Sequence, residues 1–285
     1  GSAGGDLLRQ SSESLAGRIV FTELYPFIWP EIRHREESIY RYILRGGFPR
    51  SFLAADDEIS MVWRRSFITT FLERDILQFG VKLPSENIRK LWLMLAHNHG
   101  QLLNQSALGN SMGLSHTTVR NYLEILTQTF MVRRLQPYHT NTKKRLVKTP
   151  KVYIRDHGIL LALLNIPNIN TLLGHSVAGA LWEGLIIENI LNHFPELDGY
   201  FYRTATGNEI DLILRFGDRT LAVESKFTTA PSVNAGFMSA MDDLGLDKAL
   251  IPAPLERTNA FPINSKVTAC TIDHMLTEIG AFFAL

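Results

Sequence analysis

Two apolar runs, GNEIDLIL (Gly207–Leu214) and LAVESK (Leu221–Lys226), flank a Gly-Asp turn. Such runs on either side of this turn predict a β-hairpin. Glu224 and Lys226 are two residues apart on the second strand, so they share one face of the sheet. The hairpin can bring Asp211, near the start of the first strand, alongside that pair. The sequence therefore predicts a cluster of two carboxylates and one lysine.

The chemistry of this cluster depends on what separates its negative charges. Two neighbouring carboxylates repel each other unless a cation lies between them, and hard oxygen ligands suit Mg²⁺ or Mn²⁺. Asp211 and Glu224 are therefore candidate metal ligands. Lys226 can then polarise the attacking water or neutralise charge on a pentavalent phosphate. The alternative is that the three residues form a cross-strand salt bridge and nothing more.

A helix upstream of the hairpin adds a further carboxylate. Glu183 shares a helical face with Ile187, Ile190 and Leu191, which directs it toward the sheet. A carboxylate on a core-facing stripe is costly unless it is paired or bound to a metal. Glu188 is rotated away from that stripe and is predicted to be exposed. The predicted catalytic residues are Lys226, Asp211, Glu224 and Glu183.

The segment Ser106–Leu123 has the layout of a helix-turn-helix. A short helix ends at Gly113, which suits the left-handed turn at a helix C-terminus. Leu114 is predicted to plug the core between the helices, and Ser115 to cap the second helix. The predicted buried stripe of the second helix is Val119, Tyr122, Leu123 and Leu126. The residues predicted to face outward, where a recognition helix meets base edges, are His116, Thr117, Thr118, Arg120 and Asn121.

A β-rich segment follows and is predicted to form a wing. From Arg133 to Arg155 it is rich in lysine and arginine and contains no acidic residue. We predict that Lys143, Lys144 and Arg145 contact phosphates of DNA. Winged helices also serve as protein-docking modules, and a basic wing can be simply a solvated face. A protein partner therefore stays open as the alternative to DNA.

The composition is that of an ordinary globular protein. With 285 residues, two or three domains are expected. A net charge of +1 excludes a polycation that coats nucleic acid, so affinity for an acidic partner must come from local patches. The single cysteine, Cys270, excludes an internal disulfide and fits a reducing cytoplasm. No membrane helix or signal peptide is predicted, so we expect a cytoplasmic protein without membrane contact.

Several other chemistries are not supported by the sequence. It contains no Gly-x-x-x-x-Gly-Lys-Ser/Thr loop to cradle phosphates, so no ATPase activity and no cofactor-binding residues are predicted. His97 and His99 lack an evident third metal ligand. No spacing of Ser, His and Asp favours a nucleophilic hydrolase.

Hydrophobic periodicity predicts an α+β multidomain chain. Helices are predicted at Glu31–Leu44, Ile59–Phe79, Glu86–His97, Gln105–Met112, Ser115–Thr129, Asp156–Leu164 and Ala178–Phe194. Strands are predicted at Phe130–Leu135, Lys151–Ile154, Gly199–Thr204, Glu209–Phe216 and Thr220–Phe227, followed by a helix, a strand and a helix. Ile166–Thr171 is the predicted linker.

Short blocks along nearly the whole chain resemble a known family. They are SLAGR (Ser14–Arg18), GGFP (Gly46–Pro49), FLERDI (Phe71–Ile76), KRLVKTPKVY (Lys144–Tyr153), LWEG (Leu181–Gly184), EID (Glu209–Asp211) and ESK (Glu224–Lys226). They resemble bacterial and archaeal predicted ATPases of the AAA+ type. In that family a P-loop domain precedes a winged helix and a C-terminal domain of unknown function, which belongs to the PD-(D/E)xK nuclease superfamily.

The resemblance implies a specific domain organisation. Residues 1–30 would be the remnant of the AAA+ ATPase domain. Residues 31–165 would be a helical segment with a winged helix-turn-helix, and 172–285 an α/β PD-(D/E)xK nuclease-like domain. ATP would bind only the full-length protein, and an oligomer would form through the ATPase part. Gly1, Ser2 and Ala3 would be native, although the opening Gly1–Gly5 by itself equally suits a cloning scar.

Two residues bear on what the resemblance implies for function. Arg18 is either a nucleotide-sensing arginine or a cation at a helix C-terminus. Ser225 stands where the superfamily usually has an apolar residue, and many members keep the fold without catalysis. Two functions therefore stay open: a Mg²⁺-dependent nuclease, or a non-catalytic DNA- or protein-binding module that tethers the ATPase to a partner.

Overall fold

The computed structural model describes residues 23–33, 38–76, 84–139, 144–255 and 258–285. It has a mixed α+β architecture with one large sheet. The helices are α1 (Trp29–Ile32), α2 (Ile39–Arg45), α3 (Pro49–Phe52), α4 (Asp57–Thr70), α5 (Ser85–His97), α6 (Gln105–Met112), α7 (His116–Gln128), α8 (His157–Leu163), α9 (Ile169–Leu173), α10 (Ala178–His193), α11 (Ala235–Asp243) and α12 (Ile272–Phe283). The strands are β1 (Gln101–Leu102), β2 (Val132–Pro137), β3 (Lys151–Ile154), β4 (Asp198–Arg203), β5 (Glu209–Phe216), β6 (Arg219–Val223), β7 (Ala249–Pro252), β8 (Ala260–Pro262) and β9 (Val267–Cys270).

The first helices follow the predicted apolar spacing with two differences. The helix predicted from Ile59 begins at Asp57, because Asp56 accepts a hydrogen bond from the Ile59 amide and caps it. From Phe71 to Asp75 it continues as a π-helical turn. The helix predicted at 31–44 corresponds to α1 and α2, and residues 34–37 between them lie outside the described part.

Helix α6 has the predicted bounds, and α7 is one residue shorter than predicted at each end because Ser115 and Thr129 cap it. Gly113 closes α6 with a left-handed φ of 66°, a conformation that favours glycine. The Ser115 side chain accepts a hydrogen bond from the Thr118 amide at 3.1 Å and caps α7. The predicted inner stripe is buried at Val119, Tyr122, Leu123 and Leu126. Strands β2 and β3 follow as an antiparallel pair.

In the described part of the chain, nine strands form one sheet in the order β1-β3-β2-β4-β5-β6-β7-β9-β8. Parallel pairing of β2 with β4, at Gln136 with Tyr200 and at Pro137 with Phe201, joins the strands that follow the helix-turn-helix to the rest of the sheet. The predicted bounds of β3 and β5 are confirmed. The prediction of a single strand between the last two helices is wrong, because β8 and β9 pair antiparallel beside β7.

Alternate residues of β5 and β6 face two different cores. Ile213 and Ala222 pack with Phe237 of α11. Leu212 and Val223 belong to the larger core, which also holds the buried residues of α10 and α12. Because the sheet is covered on both faces, polar residues of the hairpin concentrate at the strand ends.

The predicted linker contains more structure than expected. Ile166 is buried, and Asn168 caps α9 through the Thr171 amide. The boundaries between the predicted domains therefore stay predictions. Among the described residues, no helix is both long and apolar enough to cross a membrane. Of the predicted ATPase remnant at 1–30, residues 1–22, which include Arg18, lie outside the described residues.

Candidate functional site

The β5–β6 hairpin places Asp211 beside Glu224. Its register pairs Leu212 with Val223, so the two acidic residues are the next opposed positions. The Asp211 amide donates a hydrogen bond to Glu224 Oε2 at 3.3 Å. The Ser225 amide donates to Asp211 Oδ2 at 2.9 Å. Each carboxylate is therefore oriented by the backbone of the other strand.

Lys226 completes the predicted trio. Its Nζ lies 2.8 Å from Glu224 Oε1, and its side chain is 30% exposed against 8% for Glu224. Burial would lower the pKa of Lys226, but the charge of Glu224 outweighs it and raises the pKa. The lysine therefore stays cationic and partly accessible at the edge of the site.

Glu183 approaches from α10 and bonds to residues that the sequence did not predict for the site. Lys151 Nζ lies 2.8 Å from Glu183 Oε1, and the Tyr153 hydroxyl donates a hydrogen bond to the same oxygen. Lys151 also lies 2.6 Å from Glu209 and 3.8 Å from Asp211. The structure thus brings Glu183 into the cluster through Lys151 and Tyr153, which both belong to β3.

The basic wing predicted from Arg133 to Arg155 includes Lys151, yet the side chain of this lysine is only 4% exposed. Burial would lower its pKa, but the charges of Glu183, Asp211 and Glu209 raise it. A sequence signal existed, because the lysine begins the short apolar strand KVYI, whose residues are all buried. A lysine in a fully buried strand requires acidic partners.

The carboxylates of the site are crowded despite the two lysines. Burial, followed by the charge of Asp211, raises the pKa of Glu224 to about 8. The same two causes raise the pKa of Glu183 to about 7. Burial also raises the pKa of Asp211. The raised pKa values show that the two lysines do not fully stabilise the negative charge of these buried carboxylates. An additional cation near them would therefore be favourable.

The donor set bears on which cation would fit. Across the described part of the chain, no group of three or more His, Cys, Asp or Glu residues is arranged to hold a metal ion. Mg²⁺ commonly binds proteins through one or two carboxylates and keeps several waters. Asp211 and Glu224 supply two such carboxylates, while Glu183 is bonded to Lys151 and Tyr153. The residues therefore fit a hydrated divalent cation and not an all-protein cage.

Of the two histidines His97 and His99, His99 has a structural role. Its ring bonds the Ile154 amide through Nδ1 at 3.0 Å and the Ala180 carbonyl through Nε2 at 3.1 Å. Burial lowers the pKa of His99 to about 3, so the ring is neutral. Both nitrogens are thus occupied by backbone groups, and His99 has none free for a metal.

The prediction that Glu188 is exposed is wrong. Glu188 is buried and accepts hydrogen bonds from Arg133 and from Arg155, the latter at 3.0 Å. Burial would raise its pKa, but the charges of these two arginines lower it. Two cations from the predicted wing therefore neutralise this carboxylate inside the fold.

Other basic residues of the predicted wing are also paired. Arg134 lies 2.8 Å from Glu124, and Lys144 lies 2.7 Å from Asp243 at the end of α11. Arg145 is exposed, and Lys143 lies outside the described residues. The cationic surface that this segment offers is therefore smaller than the sequence suggested.

The outward face of α7 is accessible at the positions predicted for nucleic acid. His116, Thr117 and Arg120 are exposed. Thr118 is half-buried, and its hydroxyl bonds the Ser115 hydroxyl at 2.8 Å. Asn121 is exposed as well, so four of the five residues predicted to face outward on this helix are open to a partner.

Comparisons with known proteins show two adjoining similarities. Residues 36–170 match a family model described as Domain of unknown function (DUF8612). Residues 178–274 match one described as Domain of unknown function (DUF4143). Lys151 and Tyr153 lie in the first matched range, whereas Glu183, Glu209, Asp211, Glu224 and Lys226 lie in the second. The site is therefore composed of residues from both.

The relatives are longer proteins. Uncharacterized proteins of Mycobacterium bovis and Mycobacterium tuberculosis are each 40% identical over 277 residues, which cover 97% of this chain and 62% of the relative. An uncharacterized protein of Haemophilus influenzae is 28% identical over 235 residues, 75% of this chain and 54% of that protein. No solved structure matches the chain. Over most of its length, the chain is thus similar to two domains of unknown function in tandem and to uncharacterized proteins of these organisms.

Proposed function

We propose that this chain is the C-terminal part of an AAA-type ATPase and that its hairpin site hydrolyses phosphodiester bonds of DNA with Mg²⁺. The second matched family is commonly found with AAA-type ATPases, which supports the association. The chain also spans only 62% of the mycobacterial relatives, which leaves length for an ATPase domain. The lone buried Cys270 is compatible with a cytoplasmic protein.

The observation that carries this proposal is the adjacency of Asp211, Glu224 and Lys226. Two carboxylates on neighbouring strands are oriented by backbone amides at 2.9 and 3.3 Å, and a partly exposed lysine lies 2.8 Å from one of them. A structural salt bridge needs one carboxylate and one lysine. Glu224 has that partner in Lys226, whereas Asp211 is 3.8 Å from its nearest lysine, Lys151. A second carboxylate without a close cation suits a divalent-cation site.

Each residue has a role in the proposed reaction. Asp211 and Glu224 would hold Mg²⁺, which when bound supplies Lewis-acid polarisation of a phosphoryl oxygen. The Lys226 ammonium would stabilise the negative charge that develops on the phosphate. Glu183 would fix the positions of Lys151 and Tyr153, to which it is bonded, beside the metal site.

The remainder of the chain would position DNA. We interpret α6, α7, β2 and β3 as a winged helix, because a capped second helix follows a left-handed turn and an antiparallel strand pair follows the helix. The hairpin, α10 and β7 are then the nuclease-like unit. Arg120 on α7 and Arg145 in the wing are the exposed cations proposed to contact DNA.

A second candidate is a non-catalytic module that tethers an ATPase to DNA or to a protein. The observation in its favour is the Lys151 ammonium, which already lies among three carboxylates. This module would bind its partner without cleaving it and would be insensitive to Lys226→Ala.

Nicking of supercoiled plasmid separates the two candidates. The proposal predicts nicking that requires Mg²⁺ or Mn²⁺ and is lost in Asp211→Ala. Nicking that persists in Asp211→Ala would indicate a contaminating nuclease. DNA binding without nicking by the wild type would favour the tethering module.

A further inference from the structure

We propose that Lys151 is an internal counter-cation that holds the carboxylates of the site together and competes with a divalent cation for Asp211. This inference rests on the proposed metal site. It concerns Lys151, which lies in the first matched range (36–170), whereas the carboxylates of the site lie in the second (178–274). It assigns Lys151 a positioning role: its ammonium sets how strongly the site takes up metal.

The contacts of the Lys151 ammonium support this assignment. It lies 2.8 Å from Glu183, 2.6 Å from Glu209 and 3.8 Å from Asp211, and its side chain is 4% exposed. The nearest two carboxylates fix its position, since a buried ammonium cannot leave them without a large desolvation cost. Asp211 lies farther from the ammonium, and it is therefore the carboxylate that can bind a metal ion while it remains near Lys151.

Strand β3 fixes where Lys151 stands. Lys151 pairs with Leu135 of β2 and with Leu102 of β1, so its backbone is held on both sides. Tyr153, two residues along the same strand, donates its hydroxyl hydrogen bond to Glu183. The side chains of Lys151 and Tyr153 therefore reach Glu183 from the same face of β3, which pairs with β1 on one side and with β2 on the other. The carboxylates cannot adopt this arrangement unless both regions of the chain are packed.

The competition follows from the position of Asp211 between two cations. A divalent ion on Asp211 and Glu224 would lie near an ammonium that is 3.8 Å from the same carboxylate. Like charges at such separations repel strongly in a partly buried site. Lys151 should therefore weaken metal binding, whereas in its absence the crowded carboxylates should depend on the metal.

The test compares Lys151→Met with the charge-preserving Lys151→Arg and with Lys90→Met, which removes an exposed lysine on α5. Mn²⁺ affinity is measured by isothermal titration, and thermal unfolding is followed with and without Mn²⁺. We expect Lys151→Met to bind Mn²⁺ about tenfold or more tightly than the wild type. Without metal, its Tm should fall by roughly 5–15 °C, and Mn²⁺ should recover most of that loss. Lys151→Arg and Lys90→Met should stay within about threefold of the wild-type affinity.

Each outcome decides between the inference and the proposed function. An unchanged Mn²⁺ affinity in Lys151→Met would overturn the inference and leave the metal site intact. Binding by Lys151→Met but not by the wild type would support the inference and overturn metal-dependent hydrolysis by the native protein. Absence of Mn²⁺ binding in both the wild type and Lys151→Met would overturn both the inference and the proposed function. If Lys151→Met fails to fold without metal, refolding in Mn²⁺ supports the inference, and failure to refold there overturns it; Lys151→Gln, which keeps a polar group, repeats the test.

Discussion

Asp211 and Glu224 are held by crossed hydrogen bonds: the Asp211 amide donates to Glu224 Oε2 at 3.3 Å, and Asp211 Oδ2 accepts from the amide that follows Glu224 at 2.9 Å. This exchange orients both carboxylates at the same end of the β5–β6 hairpin. It also fixes their separation through the strand register and not through flexible side chains. The proposed metal site therefore depends on hairpin geometry.

Lys226→Ala should slow cleavage strongly without weakening metal binding. The lysine bonds Glu224 but is not a proposed metal ligand. Loss of a group that stabilises transition-state charge typically costs about 10²–10³ in rate. Plasmid nicking should fall by this factor, and the Mn²⁺ Kd should not rise, because the change removes a cation beside Glu224 and leaves both proposed metal ligands in place. Equal nicking rates for Lys226→Ala and wild type would remove Lys226 from the mechanism.

Without divalent cations, the stability of the fold should decrease as pH rises from 5.5 to 8.5. Burial and Asp211 raise the pKa of Glu224 to about 8 and that of Glu183 to about 7, from an ordinary value of 4.5. The folded protein binds these protons more tightly than the unfolded chain. Their contribution is complete below the ordinary pKa and is lost as pH rises through the folded values. Urea denaturation across this range measures the loss.

Two comparisons make the pH prediction specific to the site. Glu224→Gln removes one titrating carboxyl and should give a shallower decrease in stability with pH. Saturating Mn²⁺ should also flatten the pH profile of the wild type, because the metal binds the ionised carboxylates. A stability that is constant over this range without metal would show that the carboxylates are fully neutralised by Lys151 and Lys226.

Glu188→Ala should destabilise the protein strongly. Its carboxylate is buried between Arg133 and Arg155, and its removal leaves both guanidinium groups without their shared acceptor. Breaking a buried ion pair from one side costs about 3–5 kcal/mol. Glu124→Ala is the matched control, since Glu124 pairs with Arg134 at the surface and should cost less than about 1 kcal/mol. Similar losses in the free energy of unfolding for both variants would contradict this account of Glu188.

The double variant Arg120→Ala and Arg145→Ala should weaken DNA binding and reduce its salt dependence. Both residues are exposed, on α7 and in the wing. Each lost phosphate contact lowers the slope of log affinity against log salt by about 0.9. Fluorescence anisotropy with a DNA duplex at several salt concentrations measures the slope. The exposed Arg50 on α3 provides the control, and a double variant that matches Arg50→Ala would argue for a protein partner.

The parts of the site predicted from sequence are those encoded locally. The hairpin follows from two apolar runs around a Gly-Asp turn, and its register then places Asp211 opposite Glu224. The α6–α7 turn likewise follows from Gly113 and Ser115, which set one backbone conformation and one cap. In both cases, residues close in the chain determine the structure.

The parts that sequence could not predict depend on distant partners. Glu188 bonds arginines that are 55 and 33 positions away, and no helical periodicity shows that they meet. The predicted basic wing includes Lys151, although this residue lies in a buried strand. Its acidic partners come from α10 and β5, and only packing brings these together.

Isothermal titration of Mn²⁺ into the wild type, Asp211→Ala and Asp211→Asn tests the central claim most directly. Asp211→Asn keeps an acceptor for the Ser225 amide and so separates loss of charge from loss of hairpin geometry. We predict one site in the wild type, no binding in Asp211→Ala, and affinity at least about tenfold weaker in Asp211→Asn despite an unchanged fold. No binding to the wild type, or equal binding to Asp211→Ala, would contradict the claim and make the cluster a structural network of salt bridges.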